Sequence, residues 1–297
     1  LGFKNDKKLK SNKTIVFNLS TLTQLTSYEN RTFDIKQHKT TFDDWLTAFS
    51  NSIRKRTANT KQGMFVGLSS GYDSGAITCE LEKQNVSFKT YSILNTENPK
   101  IMERRLKLVT NAEAFNLTTD EYNHWQKELD DNCENFIYGT GKKKYNIKED
   151  QASKGLAAIC HRANKEKRKI YFSGQGADEI ISDYGFGGIK KYKHSGFGGL
   201  FPQSLDGFFP WHSFYDGTQI QYLNKEEYVA GHFGIETRYP FLDNDLVQEF
   251  LWLSHTLKNS VYKSCLHEYL SANNFPFKPS EKKGFNVGQK KRKHKTL

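Results

Sequence analysis

Two glycine-rich segments combine backbone suited to phosphate with carboxylates suited to a divalent cation. The first reads GLSSGYDSG over residues 67–75, after the apolar run 64–66, and the second reads SGQGADE over 173–179. A strand that turns through small residues into a helix leaves N–H groups free at the positive helix end, where anions bind. An aspartate there repels phosphate unless a cation lies between them, so Asp73 and Asp178 predict a shared Mg²⁺.

Each segment also has a purely structural interpretation. Serine and aspartate cap helices, and acidic residues such as Asp178 and Glu179 complement the dipole of a helix start. The first segment lacks the GxxxxGK[ST] pattern of the Walker loop, so a phosphate site here belongs to another class. The occurrence of two such segments, each after a predicted strand, favours the phosphate and metal interpretation.

The surrounding pattern predicts the elements that position these segments. Strands are expected near 14–17, 64–68, 88–94 and 170–172, and helices from a cap at Thr41 and over 76–83, 103–114 and 151–163. Strands that alternate with helices predict an α/β fold, a parallel sheet with flanking helices, in which ligands bind beyond the carboxyl ends of the strands. The chain after about residue 225 is expected to be largely helical.

Composition narrows the class of protein. The 297 residues are 36% hydrophobic and 14% aromatic, which predicts a folded globule, and no apolar run is long enough to span a membrane. The net charge of +11 lies mostly in lysine runs typical of solvated surface, so the pattern disfavours a nucleic-acid partner. Four widely spaced cysteines form no CxxC pair, which disfavours zinc and predicts a reducing, cytoplasmic setting.

Four motifs in order carry a resemblance to a known family. LSSGYDSG resembles the SGGxDS loop of the N-type ATP pyrophosphatases, and SGQGADEIISDY resembles the SGEGADE segment of asparagine synthetases. GIETRYPFLDNDLV is similar to their G-x-E-x-R-x-PFLD stretch, and KSCLHEYL with FPFKPSEKKGF to their K-x-x-LR and R-x-K-x-GF ending. Over about residues 64–288 the chain therefore resembles the synthetase domain of the asparagine synthetase and β-lactam synthetase family, with an adenine nucleotide α-hydrolase-like fold.

The resemblance implies an ATP-dependent, amide-forming ligase. A substrate carboxylate would be activated as an acyl-adenylate with release of pyrophosphate and then captured by ammonia or an amine, with ATP and Mg²⁺ required. Asp73 and Asp178 would hold the Mg²⁺. The residues implied for nucleotide binding are Leu68, Ser69, Ser70, Gly71, Asp73, Ser74, Ile93, Gly174 and Gln175, with Leu68 and Ile93 beside the adenine.

Catalytic roles are implied for three further positions. Lys282 matches the lysine that stabilises charge during adenylation, although an exposed lysine in a basic stretch is the alternative. Gln175 stands where asparagine synthetases carry a glutamate that handles the proton of the attacking ammonia, and an amide cannot act as a general base. Glu236 is expected to pair with Arg238 beneath the site, with direct substrate contact as the alternative.

Departures from the family pattern shape the expected substrate. The replacement at Gln175 points away from simple aspartate and towards other carboxylates. Ser70 replaces a glycine, which is tolerable only if its φ is negative. Ser182 and Asp183 replace a Gly-Gly pair, and His267 and Ser280 replace arginines. A non-catalytic, degenerate member and an RNA-modifying enzyme of the same superfamily are therefore kept as alternatives.

The expected organisation has three parts. Residues 1–57 form a connecting segment and leading helix, like the junction after a glutaminase domain, 58–288 form the synthetase domain, and 289–297 form a basic tail. No glutaminase nucleophile is recognised, so nitrogen is expected from free ammonia, a separate or cleaved glutaminase chain, or an amine-bearing substrate. The Gly- and Phe-rich segment 195–217 is expected to be irregular, with Phe208, Phe209, Trp211 and Phe214 as pocket walls or core.

Overall fold

A five-stranded parallel sheet forms the centre of the molecule. The structure is a computed structural model that describes residues 10–138, 145–146 and 150–281. The sheet contains β3 (Gly63–Gly67), β4 (Phe88–Ile93), β5 (Ala112–Phe115), β8 (Arg168–Phe172) and β11 (Glu236–Arg238). Its order is β11-β8-β3-β4-β5, and every neighbouring pair is parallel. The predicted fold class, a parallel sheet with flanking helices, is confirmed.

Helices cover both faces of the sheet. They are α1 (Asp43–Thr57), α2 (Tyr72–Lys83), α3 (Pro99–Leu108), α4 (Thr119–Asn132), α5 (Gln151–Lys165), α6 (Ala177–Ile181), α7 (His212–Tyr215), α8 (Thr218–His232), α9 (Asn244–Trp252), α10 (His255–Asn259) and α11 (Ser264–Ala272). A 3₁₀ turn spans Pro240–Leu242, and the short strands outside the sheet are β1 (Lys13–Phe17), β2 (Gln24–Glu29), β6 (Ile137–Tyr138), β7 (Tyr145–Asn146), β9 (Gly185–Phe186) and β10 (Ile189–Lys190). No described helix is long and apolar enough to cross a bilayer.

The central strands are apolar because both of their faces are buried. Val66 and Phe172 point into one core with α1, α2, α9 and α11, whereas Phe65 and Tyr171 point into a second core with α5 and α8. Side chains of a strand alternate between faces, so a strand between two helical layers reads as a continuous apolar run. The helical carboxyl-terminal part from α8 onwards, as expected, supplies much of this cover.

Two sequence predictions about local structure were wrong. The stretch predicted as one helix over 103–114 is α3, which ends at Leu108, followed by the edge strand β5. Asn98 caps α3 through its side chain and Pro99 occupies the first turn, so the helix starts earlier than its apolar spacing suggests. Thr41 does not cap α1, because Phe42 occupies the N-cap position without a side-chain bond, although Asp43 and Asp44 do lie in the first turn.

The segment 195–217 is mostly irregular, and its aromatic residues pack into the core. Trp211 and Phe214 are buried, and Phe208 and Phe209 pack against the same cluster. The core alternative is therefore confirmed for these four residues. Asp183 organises the segment: its carboxylate accepts hydrogen bonds from Phe197 N (2.8 Å), Ser195 Oγ (3.0 Å) and Ser213 Oγ (2.6 Å). Its φ of 45° explains why a glycine would also suit this position.

Helix α1 is part of this core, since Trp45, Phe49 and Ile53 are fully buried. The division at residues 57 and 58 stays a prediction. The predicted basic tail at 289–297 lies outside the described residues.

Candidate active site

The strand order creates a crevice where the two glycine-rich segments meet. The chain passes from β3 to β4 on one side, and later places β8 on the other side of β3. At such a switch point the loops beyond neighbouring strands diverge and leave room for a ligand. The loop after β3 leads into α2 and the loop after β8 leads into α6, so both lie at the same edge of the sheet.

The loop after β3 is held by its own serines. Ser74 Oγ accepts a hydrogen bond from Ser69 N (3.1 Å) and lies 2.8 Å from Ser69 Oγ. Gly71 N donates to Ser69 Oγ at 3.1 Å. Because these N–H groups now bond hydroxyl oxygens, a phosphate would replace oxygen acceptors that the loop supplies itself. Ser69, Gly71, Asp73 and Ser74 all line the cavity at this edge.

A buried arginine supports this loop from behind, and the sequence analysis missed it. Arg105 of α3 is fully buried and donates to Gly71 O (2.8 Å), Ser69 O and Pro276 O (2.7 Å). Burial lowers its pKa to about 10, so it stays charged at neutral pH. A Cβ atom at Gly75 would lie 2.3 Å from its guanidinium, so only glycine fits there. By binding the carbonyls, Arg105 orients the peptide groups of the loop.

Ser70 has a different role from its neighbours. Its N–H donates to the Glu97 carboxylate at 2.6 Å, and its hydroxyl donates to the same oxygen. Ser70 is buried and is not among the residues that line the cavity, and its φ is not positive. The replacement of glycine is therefore tolerated, as the sequence analysis required, and it ties the loop to the segment after β4.

Glycines allow the second loop to reach the first. A Cβ atom at Gly174 would lie 2.9 Å from Asp73 Cβ, and one at Gly176 would lie 2.4 Å from Leu242 Cδ2. Gly176 also has a φ of 92°, which favours glycine. Gly174 and Gln175 line the cavity, and Gln175 N donates to Ser173 Oγ at 3.1 Å.

Asp73 and Asp178 share one cationic group, the ammonium of Lys263. Lys263 Nζ lies 2.6 Å from Asp73 Oδ1 and 2.9 Å from Asp178 Oδ1, and its side chain is only 2% exposed. Burial alone would lower the pKa of Lys263, but Asp178 and Asp73 outweigh burial and hold its pKa well above the ordinary value. Lys263 precedes α11 with a φ of 49°, and it opens the KSCLHEYL motif, whose pattern predicted no role for it.

The two carboxylates fit a divalent cation that is carried by phosphate. Both line the cavity, and both require a positive partner, which Lys263 supplies. No group of three or more metal-binding side chains occurs among the described residues. Mg²⁺ commonly takes one or two carboxylates and completes its shell with water and substrate phosphates, so this donor set suits Mg²⁺ bound to a nucleotide.

The cavity has a volume of about 340 Å³, and aromatic rings also line it, besides the carboxylate end formed by Asp73 and Asp178. The rings are those of Tyr184, Tyr192, His194 and Tyr222, and the charge of Asp178 acts on Tyr184 and Tyr192. Glu226 of α8 also lines the cavity and was missed by the sequence analysis. Burial raises the pKa of Glu226 to about 7, against the opposing effects of hydrogen bonding to Ser173, the charge of Lys225 and hydrogen bonding to Gln175.

Three further predicted residues that the structure describes do not line the cavity. Leu68 and Ile93 are buried in packing, Leu68 against Met102 and Ile93 in the second core, so their adenine contact stays a prediction. Glu236 forms the expected pair with Arg238 at 2.7 Å, but its side chain is 61% exposed and does not line the cavity. Lys282 lies outside the described residues.

Comparisons with known proteins place this site in context. The family model described as "Asparagine synthase" matches residues 44–206, which is more than half of the chain. No curated protein sequence matches. Similar solved structures include an NMN synthetase from Francisella tularensis, with 9% identity, TM-score 0.35, and coverage of 83% of this chain and 100% of that chain. An NAD+ synthetase from Burkholderia pseudomallei has 9% identity, TM-score 0.30, and coverage of 82% and 90%.

Proposed function

The chain belongs to the asparagine synthase family of ATP-using ligases, and on that premise we propose that it joins a carboxylic acid to a nitrogen nucleophile through an acyl-adenylate. The observation that carries the proposal is the convergence of Asp73 and Asp178, from loops after two different strands, on the ammonium of Lys263. Carboxylates brought together at a strand-end crevice suit a nucleotide that arrives with its cation.

In the first step, an oxygen of the substrate carboxylate attacks the α-phosphorus of ATP, and the bond to pyrophosphate breaks. Negative charge grows on the departing oxygen, so fixed cations and N–H groups stabilise the transition state. Lys263 supplies a buried positive charge, and the amino end of α2 adds its dipole. Asp73 and Asp178 would hold Mg²⁺, which would neutralise phosphate charge. We retain Lys282 as a further charge-stabilising residue and Ser69, Gly71, Ser74 and Gly174 as the pyrophosphate cradle.

In the second step, the nitrogen nucleophile attacks the acyl carbon and AMP leaves. Gln175 lines the cavity but carries no carboxylate, so it serves in hydrogen bonding rather than proton transfer. The proposal includes an acid other than simple aspartate, nitrogen from ammonia, an amine or a separate glutaminase chain, and no nucleic-acid partner. The described cysteines are buried with free thiols, which supports the proposed reducing, cytoplasmic location.

The test is ATP–pyrophosphate exchange over a panel of carboxylic acids with Mg²⁺ present. We expect one acid class to support exchange, and Asp73→Asn and Asp178→Asn each to lower it at least about 100-fold, because several kcal/mol of charge stabilisation are lost. Asp120→Asn, which alters an exposed aspartate in the first turn of α4, is the matched control and should retain exchange. Failure of all acids with a folded protein that also fails to bind ATP would instead support the non-catalytic alternative.

A further inference from the structure

Glu226 is a buried carboxylate at the cavity, and one of its oxygens has no partner. The residue is 7% exposed, and Oε2 makes no hydrogen bond to any of the described residues. A buried acceptor without a partner destabilises the fold by about 1–3 kcal/mol, and by more when it is charged. Because Glu226 lines the cavity, a bound ligand with an N–H group could satisfy this oxygen.

Aromatic rings line the same cavity as Glu226. Tyr222 lies one helical turn before Glu226, so both side chains share a face of α8. His194 stacks with Tyr192 at 5.5 Å between centroids and makes edge contacts with Tyr184 at 4.4 Å and Tyr222 at 6.2 Å. Such rings attract a cation through their faces and pack against an apolar body. A cavity lined by a carboxylate and by aromatic rings suits an organic ammonium ion.

The charges around Glu226 leave it available to such a cation. Lys225 is directed to Asp150 at 3.1 Å and lies over the ring of Tyr222 at 4.6 Å. Glu179 accepts hydrogen bonds from Gly176 N and Tyr184 Oη. Burial raises the pKa of each neutral group that faces Glu226 from the packed elements, so these groups stay uncharged near neutrality: Cys160, Tyr171 and Tyr239.

We propose that this cavity binds the nitrogen nucleophile as a primary ammonium ion with an apolar body, and that Glu226 accepts its proton. The proposal rests on the ligase function above and names the class of its second substrate. It also supplies the proton acceptor that Gln175 cannot provide. Gln175 and Ser173 lie beside Glu226, because hydrogen bonds from both side chains lower the pKa of its carboxyl group.

The amine gives up two protons in this step, one to Glu226 and one to solvent. Glu226 takes one proton from the ammonium, which frees the lone pair of the amine nitrogen. That lone pair forms the C–N bond while the C–O bond to AMP breaks, and the second N–H proton leaves to solvent. A carboxylate with a pKa near neutrality suits this task, because it is partly ionised and still basic at the working pH.

The test measures binding of benzylammonium by calorimetry, with benzyl alcohol as the neutral comparison and neither ATP nor acid present. We expect affinity for benzylammonium in the native protein to rise at least about fivefold from pH 5.5 to pH 8, as Glu226 ionises, and affinity for benzyl alcohol to stay constant. At pH 8, Glu226→Gln should weaken benzylammonium binding at least about tenfold, whereas at pH 5.5 the two proteins should differ less than about twofold.

Glu227→Gln is the matched control, since Glu227 is the next residue on α8 and is exposed. It should leave amine binding unchanged. Tyr192→Leu should weaken binding about threefold to tenfold through loss of the ring, and it tests the site should Glu226→Gln fail to fold. Three results would each overturn the proposal. They are equal binding of benzylammonium and benzyl alcohol, a benzylammonium affinity that does not change with pH, and binding of ammonium from ammonium chloride without binding of benzylammonium.

The outcome is separable from that of the ligase proposal. Pyrophosphate exchange without amine binding would overturn this inference alone. Amine binding without exchange by any acid would count against the ligase function alone.

Discussion

Two groups of polar side chains that line the cavity differ in how they are paired. At the carboxylate end, Asp73 and Asp178 both bind Lys263, and Arg105 binds the carbonyls of the loop. Elsewhere in the lining, Glu226 of α8 keeps an oxygen without a partner among the described residues. Asp73, Asp178 and Lys263 are paired before any ligand binds, whereas Glu226 has an unsatisfied acceptor oxygen. Under the proposed function, the paired groups would hold the nucleotide, and a second ligand would satisfy Glu226.

Removing the central cation at the carboxylate end should have the largest effect. Lys263→Met leaves two partly buried carboxylates close together without the ammonium that both contact, so we expect a loss of about 2–3 kcal/mol in the free energy of unfolding without metal. Added Mg²⁺ should stabilise the Lys263→Met variant more than it stabilises the native protein, because in the variant Mg²⁺ takes the place of the missing ammonium. Chemical denaturation with and without Mg²⁺ measures this. Lys61→Met, at an exposed lysine, is the control, and equal Mg²⁺ effects would contradict the shared-cation arrangement.

On α8, Glu226→Gln should change how stability depends on pH. Burial raises the pKa of Glu226 from 4.5 to about 7, so between these values the folded protein holds a proton that the unfolded chain has lost. That contribution to stability is present below pH 4.5 and is lost as pH rises through 7. Relative to the native protein, Glu226→Gln should therefore gain up to about 3 kcal/mol between pH 5 and pH 8. A constant difference across this range would show that the carboxylate ionises normally.

Adding a methyl group at Gly75, behind the loop after β3, should have an intermediate effect. Gly75→Ala places a methyl group against the Arg105 guanidinium, and the strain should destabilise the fold by about 1–3 kcal/mol and weaken Mg²⁺–ATP binding. Gly231→Ala is the matched control, because that helical position has open space around its Cβ, and it should be neutral or stabilising. Equal effects of the two variants would show that Arg105 does not set the loop.

The smallest effect is expected where the family glycine is restored. Ser70→Gly removes the hydroxyl that bonds Glu97, and since Ser70 does not need a positive φ, glycine relieves no strain. We expect a loss of about 1 kcal/mol in the free energy of unfolding. Thermal unfolding measures it. A gain in stability would indicate a strained backbone at this position.

Much of the fold followed from local pattern. The apolar runs of β3, β4 and β8 and the glycine turns after two of them predicted a parallel sheet with both loops at one edge. This placed Asp73 and Asp178 together without knowledge of the strand order. Edge strand β5 was missed because its four residues are too few to establish an alternation distinct from the preceding helix.

The groups that complete the site could not be read from local pattern. Lys263 reaches Asp73 across 190 positions of sequence, and Arg105 reaches Ser69 across 36. In the sequence Arg105 resembles a surface residue in a charged helix, and Glu226 resembles one of two exposed glutamates. Their burial depends on which helix face meets the sheet. The one local signal was that Gln175 lacks a carboxylate, which leaves deprotonation to another group, to solvent or to an already neutral nucleophile.

The most direct measurement of the central claim is a double-mutant cycle for Mg²⁺–ATP affinity with Asp73→Asn and Asp178→Asn. If both carboxylates hold one cation, each single variant should lose most of the affinity and the double variant should lose little more. Affinity losses that simply add, or a single variant that binds Mg²⁺–ATP as the native protein does, would contradict a shared cation at the two strand ends.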